Sequence, residues 1–99
     1  MKAEPLFREK RIVIHRTTGE LGTIEIKVWK FPKTSNYPDG RKFSLFLVSN
    51  RKVIVGMDNH HPKGPHLHMG ETEVVYDYQS DEQLLIDFFD FVRKAGFDL

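Results

Sequence analysis

Between Thr23 and Phe31 the chain alternates without a break, with Ile24, Ile26 and Val28 on one side and Glu25, Lys27 and Trp29 on the other. A period of two over this length fits a strand with one buried and one solvated face. Such a strand cannot stand alone, so the rest of the chain must pair its edges and cover its apolar side. The chain has 99 residues, room for one such core, and eight Phe, three Tyr and one Trp are available to fill it. Residues 1–99 are therefore read as a single domain.

Partner strands are legible on both sides. Ile12-Val13-Ile14 is a β-branched run, and the turn-rich Thr17-Thr18-Gly19-Glu20-Leu21-Gly22 joins it to the next strand as a hairpin. Pro32 to Gly40, with the turn signal Pro38-Asp39-Gly40, is a loop. Lys42 to Ser49 carries Phe43, Leu45 and Leu47 on one face, and Asn50-Arg51 turns it into Lys52 to Met57, a second hairpin whose apolar content implies a central position. Glu73 to Tyr78 alternates Val74, Tyr76 and Tyr78 with Val75 and is expected to be the fifth strand, its tyrosines packing on the sheet.

The period then changes. Leu84, Leu85, Phe88, Phe91, Val92 and Ala95 recur at three- and four-residue spacing, one stripe of an amphipathic helix. Ser80 suits the N-cap with Gln83 three residues on, Asp81 and Glu82 favour the positive end, Arg93 and Lys94 the negative end, and Gly96 the left-handed position after it. The fold class expected is α+β: a mainly antiparallel sheet of about five strands packed against a C-terminal helix, with a histidine-rich loop at 58–68 inserted between the fourth and fifth strands.

Several classes are excluded or disfavoured by composition. With no cysteine there is neither a disulfide framework nor a Cys-containing zinc site. The longest apolar runs, such as Leu84-Leu85-Ile86, fall far short of the roughly 20 residues that span a bilayer, so no membrane is expected. The amino terminus MKAEPLFREKR places charges where an export signal needs an apolar stretch. The compartment expected is the cytoplasm. Net charge is +1, yet residues 1–66 hold 13 Lys or Arg against 6 Asp or Glu and residues 67–99 hold 2 against 8. Lys27, Arg41, Lys42 and Lys63 are candidate phosphate contacts if the fold gathers basic residues on one side; solvated strand edges that block aggregation are the plainer alternative.

Chemistry is concentrated in Asp58-Asn59-His60-His61-Pro62-Lys63-Gly64-Pro65-His66-Leu67-His68, where four of the five histidines fall within nine residues. A structural loop gains nothing obvious from four imidazoles that titrate near neutrality. His66 and His68 share a face if the chain is extended there, while His60 and His61 diverge unless Pro62 sets a turn. His15 lies apart at a strand end and is read as a partly exposed strand residue.

These features resemble a known family. Tyr37-Pro38-Asp39-Gly40 with Lys42-Phe43-Ser44-Leu45, the string from Asp58 to His68, and the helix with Leu84, Phe88 and Phe89 are similar to the TumE-like toxins of toxin–antitoxin modules, over nearly the whole chain. The histidine string is the specific part; the strand and helix patterns fit many domains. The resemblance implies a toxin neutralised by a separately encoded antitoxin and acting on RNA. Residue by residue it points to His60, His61, Lys63, His66 and His68.

Three chemistries fit those residues. In a metal-independent ribonuclease, the preferred reading, no cofactor is needed: one histidine takes the proton of a ribose 2′-hydroxyl, another protonates the leaving 5′-oxygen, and Lys63 or an arginine stabilises charge on phosphorus. In a metal-dependent hydrolase, His60, His66 and His68 hold a divalent metal such as zinc, with Asp58 a further oxygen donor. In a non-enzymatic module the loop binds protein or nucleic acid. Trp29 on a polar strand face either anchors a partner or covers the sheet. The exposed fifth strand or the Phe88-Phe89 pair offers a surface for a homodimer or an antitoxin segment.

Overall fold

The alternating segment becomes the second strand of a continuous antiparallel meander. The computed structural model describes residues 3–99; Met1 and Lys2, the start of the charged amino terminus, lie outside them. The elements run β1 (Glu4–His15), β2 (Leu21–Lys30), β3 (Arg41–Ser49), β4 (Lys52–Asp58), β5 (His66–Met69), β6 (Thr72–Val75), α1 (Asp81–Lys94) and β7 (Phe97–Asp98). Spatial order is β6-β5-β4-β3-β2-β1-β7, so every strand but the last lies beside its sequence neighbour. The α+β class holds, with seven strands rather than five.

One face of the sheet makes the core. Ile24, Ile26 and Val28 stand opposite Leu47, Leu45 and Phe43, and Leu45 and Leu47 in turn stand opposite Met57 and Val55. All of them are buried, as are Leu84, Phe88 and Val92, which repeat every fourth residue along α1. Each fully buried side chain of this size contributes roughly 1.5–3 kcal/mol. With 14 residues, α1 is ~21 Å long and carries the chain across this face from the β6 edge to the β1 edge, where Phe97 closes the core.

The extra strands have physical explanations. β1 begins at Glu4, well before Ile12, and Glu4–Arg11 was unreadable because the strand is held by backbone pairing to β2 while most of its side chains stay exposed. On the core side its Arg11 lies over the Phe89 ring, 5.5 Å from the centroid, and is paired with Glu9. Phe89 is thereby half-buried and Phe88 wholly buried, so the two rings do not form one exposed apolar pair. His66–Met69 is a strand although its first three residues were expected within the loop; β6 stops at Val75, and Tyr76 and Tyr78 leave the sheet to pack against the core.

The cap and turn residues sit at the element ends that the sequence indicates. Ser80 Oγ accepts the Gln83 backbone N–H at 3.0 Å, although the Gln83 amide bonds Asp87 instead of returning to the cap. Gly96 takes φ +101° after the helix, and Asn50-Arg51 adopts φ 52° and 63°, the left-handed pair that a tight hairpin demands.

Candidate functional site

Residues directly opposite each other in paired strands project from the same face, so the register decides what the uncovered side of the sheet presents. One row across it reads Arg8, Lys27, Ser44, Asp58, His66 and Val75. The adjacent row reads Lys10, Glu25, Phe46, Gly56, His68 and Glu73. Phe46 needs Gly56 at that point: a Cβ there would stand 2.7 Å from its Cε1. Lys27, Lys42, His66 and His68 thus share one face. Arg41 has the opposite parity, and its Nε donates to both Asp81 carboxylate oxygens at 3.1 and 3.0 Å, tying β3 to the start of α1.

At the β4–β6 end of this face, Asp58, His66 and His68 bring ligand atoms within 4.8 Å of one another. His66 is the organising member, 7% exposed. Its Nδ1 lies 2.8 Å from the Gly64 carbonyl, which can only accept, so Nδ1 carries a hydrogen and Nε2 faces Asp58 Oδ1 at 3.2 Å. The His68 ring meets the His66 ring edge-on at 4.9 Å and is half-exposed. Glu73 completes the group, with Oε1 3.8 Å from His66 Nε2 and Oε2 3.9 Å from His68 Nδ1. Lys63 Nζ donates to Glu73 Oε1 at 2.8 Å, and this bond chiefly holds the Glu73 carboxyl below its usual value. Carboxylates and imidazoles converging this closely can grip a cation or pass a proton.

The loop between β4 and β5 is pinned at its base. Asn59 is buried; its Oδ1 accepts from Phe43 N–H at 2.9 Å and its Nδ2 donates to the Arg41 carbonyl at 2.7 Å. Asp58 Oδ1 also accepts from the His60 backbone N–H at 3.2 Å, and Pro65 O accepts from Tyr76 N–H at 3.1 Å. His60 and His61 are exposed. His61 lines a cleft of about 260 Å³ shared with Tyr37, Pro38 and Asp39, so the two sequence motifs face each other. The compact group therefore takes Asp58 as its third member where sequence reading had His60. His15 organises the first turn, its Nδ1 accepting the Thr17 and Thr18 backbone N–H groups at 3.2 Å each.

From sequence alone Asp58 is no more than a further oxygen donor, and Glu73 is not among the candidate site residues. The signal for Glu73 was symmetry: His68 and Glu73 are equidistant from the two-residue turn Gly70-Glu71, which makes them direct partners.

The described residues thus form a small α+β domain with one helix behind an antiparallel sheet and a carboxylate–imidazole group on the open side. A family model described as Toxin TumE matches residues 2–95, and the chain belongs to that family: it is a toxin of a toxin–antitoxin system, with an antitoxin as counterpart. No curated protein and no solved structure matches it. No helix among the described residues is long and apolar enough to cross a membrane.

Proposed function

We propose that this toxin cleaves RNA on the open face of its sheet, using histidine acid–base chemistry. The observation that carries the reading is the compact Asp58–His66–His68 group, standing in the same cross-strand rows as Lys27 and Lys10. His68, half-exposed with Glu73 against Nδ1, accepts the 2′-hydroxyl proton as the 2′-oxygen bonds phosphorus. The Asp58–His66 pair supplies the proton to the departing 5′-oxygen as its bond to phosphorus breaks, and Lys63 balances charge on the non-bridging oxygens. His60 and His61, on the exposed loop, lie where they can contact the incoming strand. General acid or base assistance is worth roughly 10²–10⁴ in rate, so loss of His68 lowers turnover far more than binding.

A second reading has its own support. The His66 Nδ1–H to carbonyl bond is the arrangement that orients a metal-binding imidazole, and it leaves Nε2 as the ring nitrogen beside Asp58 Oδ1. Under this reading Asp58, His66 and His68 would hold a divalent ion such as zinc, which would supply Lewis-acid activation of water.

Cleavage of RNA by purified protein in excess EDTA decides between the two. Acid–base chemistry survives chelation, yields 2′,3′-cyclic phosphate and 5′-hydroxyl ends, and falls by roughly 10²-fold or more in His68→Ala. Cleavage lost in EDTA and restored by one divalent metal transfers the assignment to the metal reading, and no cleavage of any RNA under either condition overturns both.

A further inference from the structure

Beside the acid–imidazole group, on the same face, lies a cleft of about 460 Å³ lined by Lys27, Trp29, Phe31, Lys42, Ser44 and Ala3. Its volume falls in the range of small-ligand sites, roughly 300–1,000 Å³. It has a floor of half-buried aromatic side chains, Trp29 and Phe31, with an ammonium on each of the strands β2 and β3 and one hydroxyl. Trp29 and Lys42 are direct cross-strand partners, as are Lys27 and Ser44. Lys27 is also 3.4 Å from Glu25, an exposed pair that leaves its charge largely available. Ser44 is the partner of Asp58, and Asp58 of His66, so the cleft joins the carboxylate–imidazole group along a single row. Two strand spacings, about 10 Å, separate Ser44 from His66.

We propose that this cleft is a nucleotide subsite for single-stranded RNA: a base stacks on Trp29 while Lys27 and Lys42 hold the flanking phosphates, and the strand continues past Ser44 to His66 and His68. This rests on the ribonuclease reading for what happens at the histidines, not for the binding itself. An aromatic floor with cations on both flanks complements an unstacked base and its phosphates. A duplex keeps its bases stacked inside and cannot offer that face. The α1 side is poorly suited, since Asp81, Glu82, Asp87 and Asp90 lie there.

Trp29 is the one tryptophan, so its emission reports the cleft directly. The test titrates the folded His68→Ala protein, which removes the proposed proton-transfer group, with a single-stranded RNA oligonucleotide and with a duplex of equal length. Binding of the labelled oligonucleotide is followed in parallel by anisotropy, including for Trp29→Ala and for Lys42→Glu, each shown by thermal melting to be folded. The single strand is expected to quench Trp29 and to bind more tightly than the duplex. Trp29→Ala is expected to weaken binding by about 10-fold, the scale of one lost base stack, and Lys42→Glu to weaken it in a salt-dependent way. Quenching without any RNA cleavage by the wild type supports the subsite and overturns only the ribonuclease reading. Cleavage without quenching, equal affinity for duplex, or unchanged affinity in both cleft variants overturns the subsite.

Discussion

Asn59 carries much of the site although no chemistry passes through it. Its amide is matched on both sides, accepting from Phe43 and donating to Arg41 across a buried boundary, and a buried backbone group left unsatisfied costs about 1–3 kcal/mol. Asn59→Ala leaves the Phe43 N–H and the Arg41 carbonyl without these partners and should lower the melting temperature clearly; Asn59→Asp should lower it too, because a carboxylate keeps the Phe43 bond but sets a charged acceptor oxygen against the Arg41 carbonyl. Thermal melts of the two variants check this, and a melting temperature equal to wild type in both would remove Asn59 from the framework of the site. The histidines themselves were legible from clustering alone, since four imidazoles in nine residues need no fold to be noticed. Asp58 and Glu73 were not, because a carboxylate acquires its role only from the partner across the ladder. Arg41 is the reverse case: a basic residue in the right segment, turned by strand parity toward α1 and Asp81.

Among the elements, the link from β6 to α1 shows how little of a strand boundary is written locally. Val74, Tyr76 and Tyr78 alternate as a strand would, yet pairing ends at Val75 and both tyrosines latch onto the helix. Tyr76 Oη donates to Asp87 and Tyr78 Oη to Asp81, each at 2.6 Å. Burial first, and then the bond to the carboxylate, raises both phenols above their usual 10.0. Below pH 10.0 the folded and unfolded chains both keep these protons, and the latches contribute in full. Above it the unfolded chain gives them up first, so the contribution falls as pH rises toward the raised folded values. The stability gap between wild type and the Tyr76→Phe, Tyr78→Phe double variant, measured by denaturant melts across pH 7–11, should be constant at first and narrow past pH 10; a gap that widens there would contradict the account. Where the periodic face is also the buried face, as in β2, β3 and α1, the elements are legible in the sequence to within a residue or two. β1 was not, because its outer half is held by backbone pairing and covered by little.

At the scale of the whole molecule the meander does two things with one register. It sends Ile24, Leu45, Met57 and their neighbours to α1, and it sends Lys27, Lys42 and the carboxylate–imidazole group to the opposite side. The excess of basic residues in the first two thirds of the chain was visible as composition, but only the strand order sorts Lys27 and Lys42 from Arg41. The toxin class was legible in the histidine string, and the family match over residues 2–95 bears it out. The central claim is that the toxin's effect originates in the Asp58–His66–His68 group. It is tested most directly by expressing the chain without its antitoxin and recording growth, for wild type and for Asp58→Asn and His68→Ala proteins shown by melting to be folded. Growth arrest by the wild type and unimpeded growth with either variant is the predicted result; arrest as complete in both folded variants as in the wild type would contradict it.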